Sequence, residues 1–286
     1  MPIENQPPKY GSLLRQAVEK NDITALIGVY DVFSASIAAR SFDGIFVSGF
    51  SFAASYYGLP DIGFIAWSDI VNFTQRIRTI LPEHHIVVDI DDGYCDPEVA
   101  CHVVSLLENI GASGVILEDQ LRPRKCGHLD GKQIMELPQF MEKLQKVLAT
   151  RKDMFVVART DADNLNEAFR RAEAFAAAGA DAVLVEAVKD FNFLSELRKA
   201  INCPIVFNQI AGGKSPPASL TELKDSGVSL VNYSTPCLFA AKNAIDAALT
   251  SLRRGDGLLA VPSNEETNVA KCTELLYENM KWRDQR

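Results

Sequence analysis

The chain has 286 residues, 29 Lys+Arg against 37 Asp+Glu, a formal net charge of −8 and 47% hydrophobic residues. That length and apolar content suffice for one large core, and the acidic balance argues against a nucleic-acid or anionic-membrane partner. No apolar run approaches the ~20 residues that span a bilayer. The opening stretch MPIENQPPKYGSLLRQ is polar and Pro-rich and reads as no signal peptide. The six cysteines (95, 101, 126, 203, 237, 272) form no CxxC pair and read as reduced thiols of a cytoplasmic protein.

Short apolar, β-branched runs recur at 24–30, 43–50, 85–91, 113–119, 155–161, 181–187, 204–209 and 230–234. They are continuous rather than alternating, as parallel strands buried on both faces require. Helical stretches separate them. The spacing predicts helices at 67–81, with Ser68 or Asp69 near the start, and at 96–112, with Asp96 as N-cap, Pro97 in the first turn and a stop at Gly111. A third, Ala-rich helix is predicted at 164–180, ending at Gly179. Eight β/α units point to a (β/α)8 TIM-type barrel spanning residues 1–286 as one domain. The alternative is a doubly wound sheet, but no GxGxxG follows the first strand. Residues 263–286 read as an extra C-terminal helical extension.

Barrel enzymes place their chemistry at the C-terminal ends of the strands. Ser48-Gly49-Phe50, Asp89-Ile90-Asp91-Asp92, Glu118-Asp119, Arg159-Thr160-Asp161, Glu186 and Asn208-Gln209 stand at those ends. Asp89 and Asp91, two apart, are expected to share one side of a strand and to converge with Glu118. Carboxylates that close need a counter-charge, which a hard cation such as Mg²⁺ supplies. Cys126 sits in the basic loop Arg122-Pro123-Arg124-Lys125-Cys126-Gly127-His128, whose cations are expected to lower its thiol pKa. Gly212-Gly213-Lys214-Ser215 is no phosphate loop, because Asn208 stands where its first glycine belongs and Pro216-Pro217 follows. His84 and His85 are expected at the surface, His102 on a helix face, and Cys95, Cys101, Cys203 and Cys272 as packed or surface thiols.

FVSGFSFAASYYGLPDIG (46–63), VVDIDDGY (87–94), GVILEDQLRPRKCGHLDGK (114–132), VVARTDA (156–162), GADAVLVEA (179–187) and NQIAGGKSPP (208–217) resemble the isocitrate lyase / phosphoenolpyruvate mutase superfamily over nearly the full length. Within it, the first stretch is most similar to the branch of the petal death protein, the 2-alkylmalate lyases and the oxaloacetate hydrolases. The resemblance implies a Mg²⁺ cofactor, with Mn²⁺ as a substitute, and a small di- or tricarboxylate substrate. It also implies a homotetramer that exchanges the terminal helix. Carried over, the metal site falls on Asp89, Asp91 and Glu118, and the oxyanion contacts on Ser48, Gly49 and Phe50. Asp61 matches a residue near the substrate, Arg159 the arginine that holds the substrate carboxylate, and Cys126 the general acid of a mobile loop that includes Gly127 and His128. Glu186, Asn208, Gly213, Ser215 and Pro216 match pocket residues, and Ser234 stands where the methylisocitrate lyases carry Pro. Two departures are Arg124 for the family's usual Lys and Asp92 for its usual Thr. The implied activity is carbon–carbon cleavage or hydrolysis through an enediolate. Mutase or decarboxylase chemistry on the same scaffold stays open.

Overall fold

The computed structural model describes residues 9–258 and 268–284. Eight parallel strands close into a barrel in sequence order: β1 (Thr24–Val29), β2 (Gly44–Val47), β3 (His85–Asp89), β4 (Gly114–Glu118), β5 (Phe155–Thr160), β6 (Ala182–Val185), β7 (Ile205–Gln209) and β8 (Leu230–Tyr233). Each falls inside a predicted apolar run. All but the seventh run overshoot at their C-terminal ends, where the chain leaves the ladder for the site. Asp91 is the clearest case. It lies beyond β3 in a left-handed turn, with φ 52°, so the strand alternation expected to align it with Asp89 does not apply.

Eleven α-helices in the described residues surround or extend the barrel, with one π-helical turn (Ala53–Tyr57) continuing α3: α1 (Tyr10–Lys20), α2 (Val32–Ala38), α3 (Gly49–Phe52), α4 (Trp67–Ile80), α5 (Pro97–Asn109), α6 (Leu137–Thr150), α7 (Leu165–Ala177), α8 (Phe191–Ala200), α9 (Leu220–Asp225), α10 (Pro236–Arg254) and α11 (Val269–Arg283). Asp96 caps α5 by accepting from the Glu98 N–H, with Pro97 at the first position, as the sequence predicts. Asn164 caps α7 in the same way. Gly111 and Gly179, both at φ 93°, adopt the left-handed conformation that ends α5 and α7. Ser68 and Asp69 stand in the first turn of α4, as expected; Ala66 is its N-cap without a side-chain cap, and Asp69 accepts from the Tyr57 hydroxyl. Predicted helical residues 263–267 lie outside the described residues. The described part of the extension, α11, packs on its own chain, where the Arg40 guanidinium lies 4.7 Å from the Trp282 ring centroid and 3.0 Å from Glu278. The Trp282 ring also packs against His84, which with His85 is half-buried rather than exposed. Burial lowers the His85 pKa.

Two cores result. The larger lies between helices and barrel wall. The smaller fills the lumen with Leu26, Phe46, Val87, Ile116, Val157, Leu184, Val206 and Leu230, and takes in Leu14 and Val18 of α1. Helix α1 therefore closes the barrel at the N-terminal ends of its strands. Asp153, just before β5, accepts from the Gly11 and Ser12 N–H groups, while Arg15 donates to Asp181 and to the Asp153 and Met154 carbonyls. The opposite end is left for chemistry.

Leu14 is fully buried. Leu14→Ala is expected to cost about 2–5 kcal/mol in a urea titration. Ligand binding at the C-terminal ends of the strands should stay unchanged, because α1 lies at the far end of the barrel.

Candidate active site

The C-terminal strand ends and three connections enclose a cavity of about 20 Å³. Its walls include Ser48, Phe50, Asp61, Asp89, Arg159, Asn208 and Ser234, and Cys126, Gly127 and His128 cover it. The structure thus gathers most of the residues singled out in the sequence. Gly213, Ser215 and Pro216 line a neighbouring open cavity of about 760 Å³, and Ile210 borders both.

Two buried arginines organise the charges. Arg124 is 1% exposed and donates to Glu118 Oε1 (2.9 Å) and to Asp61, with Asp91 Oδ1 at 3.2 Å. Arg159 meets Asp161 (2.9 Å), Glu118 (3.2 Å) and Glu186 (3.3 Å). Burial works against both cationic charges, but these carboxylates outweigh it and push the arginine pKa values well up. Lys132 adds a third cation, 3.1 Å from Asp161. Sequence reasoning missed Lys132 and the pairing role of Asp161, although Asp161 sits in a stretch already noted.

Burial raises the Asp91 carboxyl well above the usual range, and Asp89, Asp61 and Glu118 add to the rise against the pull of Arg124. Burial likewise lifts Glu118 to about 8, against Arg124 and Arg159. Neither Asp91 oxygen has a hydrogen-bond partner. Gly49 presses its backbone on the same spot: a Cβ there would lie 3.2 Å from Asp89 Oδ2 and 3.3 Å from Asp91 Oδ1. Asp91, whose Oδ2 has no partner, and Asp89, whose Oδ1 accepts from the Asp91 N–H, suit a hard divalent cation that keeps part of its water shell. Convergence of three carboxylates is not what the structure contains. Among the described residues no three His, Cys, Asp or Glu side chains gather closely enough to hold a metal, because the Glu118 oxygens face Arg124 and Arg159. Asp91 and Asp89 fit the cation, whereas Glu118 is held by Arg124 and Arg159.

The basic loop also departs from expectation. Its cations are engaged elsewhere: Arg122 forks onto Asp92 (2.8 and 3.0 Å), Arg124 onto the cluster above, and the Lys125 ammonium onto the Asp130 carbonyl. Burial dominates at Cys126, helped by Asp61 and Glu186 and opposed by the His128 backbone and Arg159, and pushes its thiol up to about 11 rather than down. A thiol held this way is a proton donor at neutral pH.

His128 pins the loop. Its Nδ1 accepts from the Lys214 N–H (2.9 Å), which leaves the proton on Nε2, 2.7 Å from Glu186 Oε1. The Gly-Gly-Lys-Ser turn therefore works as a dock for this histidine. At Gly213 a Cβ would come within 2.6 Å of His128 Nδ1, and at Gly127 within 2.3 Å of Arg159 Nη2, so side chains at either position would block this closure. Burial would raise the Glu186 carboxyl, but Arg159, His128 and Asn208 hold it down at about 2. Asn208 donates to Glu186 (2.9 Å) and accepts from the Ser234 hydroxyl. Ser234 thus spends its proton on orienting Asn208.

The family described as Phosphoenolpyruvate phosphomutase matches residues 14–253 of the chain. The petal death protein of Dianthus caryophyllus is 35% identical over 278 residues, covering 93% of this chain and 86% of its own. Among solved structures, a 2,3-dimethylmalate lyase superposes with a TM-score of 0.88 at 27% identity, covering 95% of this chain and 93% of its own. An oxaloacetate acetylhydrolase bound to the inhibitor 3,3-difluorooxalacetate reaches 0.90 at 26% identity, with 98% of both chains covered. Fold and relatives agree that the chain belongs to the phosphoenolpyruvate mutase/isocitrate lyase superfamily as an enzyme of the carbon–carbon lyase type.

Proposed function

We propose that the protein cleaves or hydrolyses a carbon–carbon bond in small α-hydroxy or α-keto di- or tricarboxylates, with a divalent cation, Mg²⁺ or Mn²⁺, as cofactor. The observation that carries this reading is that the largely buried Cys126 thiol and the Arg159 guanidinium line one cavity at the strand ends. An anion-binding cation opposite a weak acid suits a reaction that creates an enediolate and then protonates it. Arg159 binds and neutralises the substrate carboxylate. Backbone N–H groups at Ser48–Phe50 are suited to the developing negative oxygen. Cys126 delivers its proton to the carbanionic carbon, while Glu186, His128 and Asn208 hold the loop and the arginine in register. A cation on Asp91 and Asp89 would supply Lewis-acid polarisation of the α-oxygen. The named relatives act on 2,3-dimethylmalate and on oxaloacetate, which brackets the substrate range tested first.

We also propose a homotetramer that exchanges its terminal helix. Helix α10 buries none of its residues, and Ile245, Leu249, Leu276 and Tyr277 on α10 and α11 are each more than half exposed. A further copy of the chain would cover these faces.

The first test is a product screen with oxaloacetate, 2-alkylmalates, 2-methylisocitrate and phosphonopyruvate. Keto-acid, oxalate or acetate products are expected; turnover of phosphonopyruvate alone, followed by phosphorus NMR, would move the protein to the mutase reading. Asp91→Ala, or exhaustive chelation, should abolish turnover, with activity restored to the chelated wild type by Mg²⁺. Cys126→Ser should fold normally yet lose at least about a hundredfold in kcat, the usual reach of one positioned acid. The same thiol should resist iodoacetamide: at pH 8, a pKa of about 11 instead of 9 leaves about a hundredfold less thiolate. Alkylation of substrate-free protein at the speed of an ordinary thiol would contradict the burial argument.

A further inference from the structure

Inward residues of such barrels stack in layers of four drawn from alternate strands. The register brings Phe46 of β2, Ile116 of β4, Leu184 of β6 and Asn232 of β8 into one layer. All four line the 20 Å³ cavity, beneath Asp89, Arg159 and Asn208. They form its floor. Three of them are apolar, as a packed lumen demands, and Asn232 is not.

Asn232 is 1% exposed, and neither its Oδ1 nor its Nδ2 has a hydrogen-bond partner. It does not belong to the hydrogen-bonded chain in which Ser234 donates to Asn208 and Asn208 to Glu186. A buried amide without partners is a standing loss of stability, which a leucine of similar size would remove. Its placement is explained if the missing partner arrives with the ligand.

We propose that Asn232 is a specificity-determining residue whose amide recognises a hydroxyl of the bound substrate from the barrel floor. A hydroxyl is the smallest group that both donates and accepts, so it satisfies Oδ1 or Nδ2 where a C–H does not. Arg159 stands one layer above the floor, and an α-hydroxyl polarised by a cation on Asp91 and Asp89 still carries the proton that Asn232 Oδ1 would accept from below. The site therefore takes 2-hydroxy dicarboxylates and discriminates against their deoxy counterparts, because a deoxy ligand would seal the amide in place unpaired. This inference rests on the cavity being a small-carboxylate site.

The test is direct binding, which needs no turnover. Calorimetric titration with each malate enantiomer and with succinate, in the presence of Mg²⁺, compares ligands that differ by one hydroxyl. Wild-type protein should bind one malate enantiomer at least about tenfold more tightly than succinate. Asn232→Leu and Asn232→Ala should lose that preference while still binding succinate. Asn232→Leu should in addition melt about 2–4 °C higher without ligand, since the orphan amide is gone. A preference that survives in both variants, or a wild type without preference, overturns the proposal. A lower melting point for Asn232→Leu also overturns it, by making Asn232 a structural residue. Failure of the wild type to bind any of the three ligands would instead count against the dicarboxylate reading of the cavity, and the melting comparison would then decide the role of Asn232 alone.

Discussion

The site is governed by an imbalance of charge taken out of water. Asp61, Asp89, Asp91, Glu118, Asp161 and Glu186 face Arg124, Arg159 and Lys132 at one end of the barrel. Ion pairing offsets part of the desolvation cost, and the remainder shows as carboxyls pushed out of their usual range at Asp91 and Glu118. Such a cluster survives only on a scaffold that is stable without it. The two apolar cores and the α1 closure provide that scaffold. The same imbalance explains why a divalent cation suits the site and why the loop carrying Arg124 lies folded into it.

Arg124 and Asp92, the two positions at which the sequence reading expected a different residue, make sense together. Arg124 reaches Asp61, Asp91 and Glu118 through separate nitrogens, a fork that a single ammonium could not reproduce. Asp92 takes the Arg122 fork and also accepts from the Tyr94 and Cys95 N–H groups, stiffening the turn that carries Asp91. Arg124 thus acts as an anchor, a role for which the lack of an exchangeable proton at neutral pH is no handicap.

Much of the barrel was legible in the sequence because its signal is local. A strand buried on both faces must be a continuous apolar run, and Asp96-Pro97 or a glycine after an Ala-rich stretch marks a helix boundary wherever it occurs. The polar strand ends were legible for the same reason: they break a run at one consistent end. Pairings were not. Arg124 and Asp61 are 63 positions apart, and nothing in the spacing of RPRKCGH says that its cations turn away from the cysteine. Asn232 was hidden differently. A single amide inside the run LVNYS looks like noise until the closed barrel puts it under a cavity. The half-burial of His84 depends on Trp282, almost two hundred residues further along the chain.

Leu14 and Val18 stop the lumen from below, and the apolar layers above them leave no passage through the barrel. The chamber is therefore a cul-de-sac. A reaction that turns one molecule into two must discharge both fragments through the doorway that admitted the parent, past Cys126 and His128. Under the proposed carbon–carbon cleavage, the fragment that leaves last competes with the next substrate for an empty site, while its earlier-leaving companion meets an enzyme that is still occupied.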